Sequence, residues 1–200
     1  MVGERLLIWA LLLGYAIGSI PSADAVSRMQ GHDLRSSGSG NPGTANALRV
    51  AGKPTAAMIL LIDLAKGAVA VTIGNGLAAS AGAMAAGVAA IGGQVLNPWF
   101  RFRGGKGLAV ASGVTAVIWP VGMLIVMPVT AIGARFFRAA GGAILGLAAY
   151  LIGAVAWAAN DWPTWWGFDP DDRLVWLAIG VMILTAPKFV EELVRRGASD

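Results

Sequence analysis

Charge is scarce in this chain, and the way the apolar residues run together limits what it can fold into. Six stretches are long and almost uncharged: 6–26, 55–73, 77–95, 107–134, 141–159 and 174–187. A helix that crosses a bilayer needs about 20 mostly apolar residues. Asp, Glu, Lys and Arg together supply only 13% of the 200 residues, and apolar residues supply 56%. A soluble domain of this size could not cover its surface with so few charges. That excludes a cytosolic enzyme, a disordered tail and a nucleic-acid module with a solvated basic face. The chain has no cysteine, so it holds no disulfide framework, thiolate metal site or thiol nucleophile. Its 28 glycines are scattered through the apolar runs, as in packed membrane helices.

The runs predict an all-α, polytopic membrane protein of about seven spans, organised as a single domain over 1–200. The 107–134 run is long for one span and short for two. Trp119-Pro120 lies in its middle, where proline removes a helix hydrogen bond. It therefore reads as two short helices, with one kinked helix as the alternative. The first run follows Arg5 and looks like a signal-peptide core. It ends Gly-Ser-Ile-Pro at 18–21, a poor small-x-small cleavage site, and is kept as the first span.

With seven spans, twelve of the fifteen Lys and Arg residues fall on one side. Arg28, Arg35, Arg49 and Lys53 lie in the first loop, Arg101, Arg103 and Lys106 in the third, Arg135 and Arg138 in the fifth, and Lys188, Arg195 and Arg196 in the tail. The basic side is predicted to be cytoplasmic, with the N-terminus outside and the C-terminus inside. Asp161, Asp169, Asp171 and Asp172 then gather in the last outer loop. Trp9, Trp119, Trp162, Trp165, Trp166 and Trp176 fall near outer span ends, where indoles suit the headgroup layer. Trp99 falls in an inner loop.

Two cytoplasmic loops hold the polar chemistry. In 28–53, Gly38, Gly40 and Gly43 free the backbone, Ser36, Ser37, Ser39, Asn41, Thr44 and Asn46 supply hydroxyls and amides, and Arg35 and Arg49 supply fixed cations. Exposed N–H groups, hydroxyls and guanidinium groups together suit an anion, phosphate above all. The plain alternative is a flexible connector. The second loop contains Gly104-Gly105-Lys106-Gly107. It is no Walker A loop, because no Ser or Thr follows Lys106, and taken alone it reads equally as a lysine reaching lipid headgroups. Asp63 and Lys66 share a helix face, either as a structural ion pair or with Lys66 on the floor of an anion pocket. His32, the only histidine, sits beside Asp33 in the first loop and builds no metal site alone.

These residues carry a family resemblance. Gly18-Ser-Ile-Pro21, Asp33, Arg35, the segment Gly38-Ser-Gly-Asn-Pro-Gly43, Asn46, Arg49 and Gly52 resemble the first motif of the acyl-phosphate:glycerol-3-phosphate acyltransferases, the PlsY family. Asp63-Leu-Ala-Lys-Gly67 is similar to that family's Asp-x-x-Lys-Gly. Phe102-Arg-Gly-Gly-Lys-Gly107 is similar to the core of its second motif. The resemblance implies a seven-span fold and transfer of a fatty acyl group from acyl phosphate to the 1-hydroxyl of glycerol 3-phosphate. The product is lysophosphatidic acid, at the entry to phospholipid synthesis in the cell membrane, with the site facing the cytoplasm. It implies Lys106, Arg49 and Ser39 in catalysis. Substrate binding falls to Ser19, Arg35, Gly38, Gly40, Asn41, Gly43, Asn46, Lys66, Gln94, Gly104 and Gly105. No metal, cofactor, nucleic acid or obligate protein partner is implied, and the family is thought to let substrate phosphate take the hydroxyl proton.

The chain also departs from the family pattern. Gly93-Gln94 stands where Gly-His is usual, and Asn97 where proline is usual. Thr44-Ala-Asn46 exchanges the usual Ala-Thr. The third motif, usually with His and Asn-Ile, keeps little beyond Leu193 and Gly197. The chain therefore reads as a divergent member, with a regulatory paralogue that binds a phosphorylated ligand and a small anion transporter as alternatives.

Overall fold

A computed structural model describes residues 2–163, 166–168 and 172–197, excluding the side chains of 172 and 195–197. Trp165, Asp169 and Asp171, and the side chains of Asp172, Arg195 and Arg196, lie outside the described residues. The described residues form seven α-helices and one 3-10 turn, Pro98–Phe100. The helices are α1 (Val2–Ser19), α2 (Ser22–Met29), α3 (Thr44–Val50), α4 (Gly52–Val95), α5 (Leu108–Ile118), α6 (Pro120–Ala159) and α7 (Asp172–Gly197). Four helical segments are long and apolar enough to cross a membrane: Val2–Met29, Gly52–Phe100, Pro120–Ala159 and Arg173–Val194. The chain divides after Val114 into two compact units.

Two of these helices are broken, and their arms follow the apolar runs. In α4 the backbone leaves helical geometry at Ala78 and Ala79, where Ala79 has φ 48°. The gap between apolar runs predicts the turn near the glycines around 75, and it falls a few residues later. Gly74 stays helical because it lies against the backbone of Gly82, which lets the two arms of the hairpin close. In α6 the break is at Phe137 and Arg138, in the predicted loop between 134 and 141. Trp119-Pro120 separates α5 from α6, with Trp119 at φ −143°, ψ 73° and Pro120 at the first helical position, where its missing N–H costs nothing.

The first apolar run is shorter as a helix than its hydropathy implies. The run reaches 26, but α1 stops at Ser19. Pro21 disfavours helical backbone at Ile20, and α2 starts afresh at Ser22. The carbonyls of the last turn of α1 are thereby left without helical N–H donors.

In the first unit α1 lies along the 80–95 arm of α4. Gly14 faces the backbone of Ala86, Gly18 that of Ala90, and Gly93 those of Tyr15 and Ser19. On the 52–77 arm, Gly67 faces the backbone of α5 at Val110, while Gly113 of α5 faces Leu64. Helices in lipid gain little from hydrophobic exclusion, so close backbone approach supplies the packing. A small apolar core of Ala23, Val26, Leu34, Ala47, Ala56 and Ile59 sits beneath α2, α3 and the first loop.

The second unit is built around Trp119, which is fully buried. This corrects its expected place in an interfacial belt. Its ring lies 5.4 Å from Tyr150 and 5.8 Å from Trp157, and Trp157 lies 5.1 Å from Trp162. Pro120 turns the chain so that the indole folds back, and Gly122 leaves room for it. Trp9, Trp162, Trp166 and Trp176 are exposed on the protein, as an interfacial role requires.

Gly18→Val should cost about 1–3 kcal/mol or more, because a side chain there meets backbone that cannot yield. Gly76→Ala, with open space at its Cβ, should be neutral or stabilising by up to about 1 kcal/mol. Thermal unfolding in detergent checks both, and equal stability of the two variants would contradict the packing.

Candidate functional site

The site forms where α1 ends. A narrow cleft is lined by Ile20 to Asp24, Arg35, Pro42, Gln94, Asn97, Phe100, Gly104 and Gly105. All belong to the first unit. Pro21 opens the cleft by ending α1, and the two glycine-rich loops close around it.

Beneath the cleft is a buried polar cluster. The Lys66 ammonium is 2.8 Å from Asp63 Oδ1. It also donates to Gln94 Oε1 at 2.7 Å, Ile20 O at 3.0 Å and Ser22 Oγ at 3.1 Å, with Gly18 O at 3.5 Å. Ser22 Oγ donates to Asp63 Oδ1 at 2.7 Å, and Gln94 Nε2 to Asp63 Oδ2 at 3.4 Å. Lys66, Asp63, Ser22 and Gln94 are all buried. A buried ammonium is tolerated only when its three protons are matched by acceptors, and here side chains and the carbonyls beside the α1 stop surround it with more acceptors than it has protons. Asp63 and Lys66 form the ion pair that one reading expected, and the pair lies beneath the cleft. The ammonium itself is turned to protein acceptors.

The cleft wall carries a second ion pair. Arg35 Nε donates to both oxygens of Asp24, at 3.2 and 3.3 Å. Its Nη1 donates to Arg103 O at 3.2 Å, and its guanidinium lies 3.4 Å from the centroid of the Phe100 ring, in cation–π contact. Arg35 thus joins α2 to both loops. Its Nη2 is buried without a hydrogen-bond partner, so one donor remains for a ligand.

The first loop is shaped from within. Gly38 and Gly40 adopt φ +63° and +70°, the left-handed region that glycine enters without steric cost. Asn46, buried at the start of α3, accepts from Ser39 N at 2.8 Å and donates to Leu34 O at 2.9 Å and Ser37 O at 3.0 Å. Its amide is spent holding the loop. Asp33 Oδ1 accepts from Arg35 N at 2.9 Å. That bond is the chief cause holding the Asp33 carboxyl below its ordinary value of 3.8. In the second loop Gly104 N donates to Val95 O and Gly105 N to Gln94 O. Gly104 is needed for its lack of a side chain, because a Cβ there would strike the backbone of Gln94.

Of the predicted site residues, Arg35, Gln94, Gly104 and Gly105 stand in the wall, with Lys66 below it. Ser39, Asn41, Gly43 and Lys106 lie on the flanking glycine-rich segments, and Arg49 lies in the last turn of α3. Arg49 and Ser39 are exposed and Lys106 is half-buried. Ser19 is buried at the end of α1, where its hydroxyl donates to Ala16 O and its carbonyl accepts from Asn97 Nδ2. Sequence reasoning missed Ser22, Asp24, Asn97 and Phe100. Pro21 was the available signal for the first two, since a helix stop there uncovers the residues just beyond it. No group of three His, Cys, Asp or Glu side chains placed to hold a metal occurs among the described residues.

Fold and hydropathy together define an all-helical, multi-pass membrane protein. The sequence model of the family described as glycerol-3-phosphate acyltransferase matches residues 8–196, and the chain belongs to that family. It is 43% identical over 123 residues to a glycerol-3-phosphate acyltransferase of Bradyrhizobium diazoefficiens, covering 60% of this chain and 62% of that one. It is 45% identical over 113 residues to glycerol-3-phosphate acyltransferase 1 of Deinococcus radiodurans, covering 56% and 57%. The chain thus spans about three-fifths of the length of these curated relatives. A crystal structure of PlsY, an integral membrane glycerol 3-phosphate acyltransferase, in its glycerol 3-phosphate form shares the fold with TM-score 0.82 at 23% identity, covering 96% of this chain and 92% of that one. The lysophosphatidic acid form gives TM-score 0.80 at 24% identity.

Asn46→Ala should destabilise the loop by about 1–3 kcal/mol, the cost of buried partners left unpaired, and should speed hydrogen exchange at the Ser39 amide. Unchanged exchange at Ser39 would refute the clamp. Because the Asp33 carboxyl is lowered in the folded chain, its contribution is fully present above pH 3.8 and is lost as pH falls through the lowered value. NMR titration of that carboxyl should show its midpoint below 3.8.

Proposed function

We propose that the chain is a membrane acyltransferase that moves a fatty acyl group from acyl phosphate to the 1-hydroxyl of glycerol 3-phosphate. Inorganic phosphate leaves and lysophosphatidic acid forms. The observation that carries this reading is the cleft: a buried, unpartnered guanidinium nitrogen of Arg35 and a buried amide at Gln94 face a small space between two glycine-rich loops. Both substrates carry phosphate. The charges within the cleft and beneath it cancel, Asp24 against Arg35 and Asp63 against Lys66. Arg49 and Lys106 add basic side chains on the segments that flank the two loops.

In this reading Lys106, Arg49 and Ser39 carry catalysis by holding the phosphates and the charge that develops on the leaving group. Acyl phosphate is an activated mixed anhydride, so alignment and charge neutralisation supply most of the barrier reduction. The hydroxyl oxygen attacks the acyl carbon, the bond from that carbon to the phosphate oxygen breaks, and phosphate accepts the hydroxyl proton. The family resemblance implies substrate phosphate as the base, and Asp24 and Asp63 are each paired with a cation. Asn41, Gly38, Gly40 and Gly43 shape the binding loop.

Residues 1–200 act as one transmembrane domain of seven crossings, counting the two arms of α4 and of α6 separately. The N-terminus is outside, and the site faces the cytoplasm across the cell membrane. The distribution of Lys and Arg supports this orientation.

With acyl phosphate and glycerol 3-phosphate the purified protein should release phosphate and form lysophosphatidic acid. Lys106→Ala and Arg49→Ala should each lower kcat/KM by about 100-fold or more, the scale of a lost charge-stabilising donor. Full activity in both variants would sink the site assignment, and no product from the wild type would sink the reaction. The cysteine-free sequence also suits single-cysteine labelling. Ser36→Cys should react only from the cytoplasmic side and Gly3→Cys only from outside, and the reverse pattern would overturn the orientation.

A further inference from the structure

We propose that the buried Lys66–Asp63 pair is a positioning device for Gln94, and that the Gln94 amide gives the bound phosphate an uncharged hydrogen-bond donor. This rests on the phosphate-binding reading of the cleft and adds a role that the ion pair plays without touching ligand.

An amide side chain has two faces, an acceptor and a double donor, and in water it turns freely. At Gln94 that freedom is removed. Lys66 Nζ stands 2.7 Å from Oε1, so an amide turned over would set its NH₂ against an ammonium. Asp63 Oδ2 stands on the other side, 3.4 Å from Nε2, so a turned amide would also set its oxygen against a carboxylate. The ion pair therefore rejects the reversed amide twice. Only one orientation survives, with Nε2 near Gly105. A Cβ at Gly105 would lie 3.3 Å from that nitrogen, which places it under the second loop.

Nε2 carries two hydrogens. One is directed to Asp63, and the other has no protein acceptor among the described residues. Gln94 is buried, with 7% of its surface exposed, yet it lines the cleft. A buried amide hydrogen without a partner is costly unless a ligand or water accepts it. Arg35 lines the same cleft, and its Nη2 is also buried and unpartnered, so unused donors come from both residues. Asp63 and Lys66 of α4 and Asp24 and Arg35 of the cleft lining are charged groups around the amide. They are mutually paired, so the donor works against a locally neutral background.

The experiment measures glycerol 3-phosphate binding to the full chain in detergent, with inorganic phosphate as a second probe, beside steady-state turnover and melting temperature. Gln94→Leu removes the donor and should weaken binding about tenfold or more, raising KM while kcat stays within about threefold. Gln94→Glu keeps the shape, adds negative charge and should weaken binding further. Gln94→His keeps an N–H and should restore most of the affinity. Lys66→Gln should weaken binding in the wild-type background but add less than about twofold on top of Gln94→Leu, as expected of residues acting as one unit. Wild-type affinity in Gln94→Leu and Gln94→Glu would overturn the proposal, as would losses that simply track melting temperature, or full additivity of Lys66→Gln. If the wild type binds glycerol 3-phosphate but releases no phosphate from acyl phosphate, the transferase reading fails while the donor is still tested by binding. If it binds neither probe, this proposal falls.

Discussion

An ammonium removed from water needs an acceptor for every proton, and most of the first unit serves that need at Lys66. Asp63 shares its helix and supplies the charge. The remaining acceptors come from elsewhere in the chain: the end of α1, the start of α2 and the far arm of α4. The carbonyls of Gly18 and Ile20 are within reach of the ammonium because Pro21 stops the helix there, and Ile20 O also accepts from Ser22 N. One proline thus frees backbone acceptors, begins a new amphipathic helix and opens the cleft above. Breaking such a buried pair by removing one partner typically costs about 3–5 kcal/mol. The three segments that meet there are therefore held together by the same interaction that holds the cleft floor.

The glycines separate into two mechanical roles. Gly14, Gly18, Gly67, Gly93 and Gly113 sit where one helix backbone touches another, and their lack of a side chain sets the helix spacing. Gly38 and Gly40 sit where the chain must take positive φ. The first role brings the end of α1 against the 80–95 arm, which delivers Gln94 to Lys66. The second coils the loop so that Arg35 reaches Asp24, Phe100 and the backbone of Arg103. Helix packing and loop shape thus converge on one cleft, and Asn46 fixes the loop from the first turn of α3.

Much of this was legible in the sequence because apolar runs and charge gaps are strong signals. The helical segments, the break at Trp119-Pro120 and the two loops of the site follow from length, proline and glycine. Arg35, Gln94, Gly104 and Gly105 could be named from motif resemblance. What stayed hidden needed tertiary information. Nothing local says that the indole of Trp119 turns inward, since an aromatic at a span end fits a headgroup layer equally well. Nothing local says that the Asn46 amide is spent on its own loop, because the same residue type serves as a ligand elsewhere. Asp24 was concealed inside an apolar run that looks continuous until Pro21 is given its full weight as a helix stop.

The length of α1 acts as a depth gauge. Eighteen residues make a helix of about 27 Å, close to the roughly 30 Å of a bilayer's hydrocarbon layer. Where α1 stops, the cleft begins, so in the proposed orientation a crossing of this length would set the cleft floor near the headgroup layer. In the proposed reaction, a lipid-borne donor would stay dissolved in the membrane by its tail and reach the cleft by lateral diffusion. The search for the site would then be two-dimensional, governed by donor density per unit area of membrane. Shifting the proline stop by one turn, about 5.4 Å, would change that depth and also carry the Gly18 and Ile20 carbonyls away from Lys66.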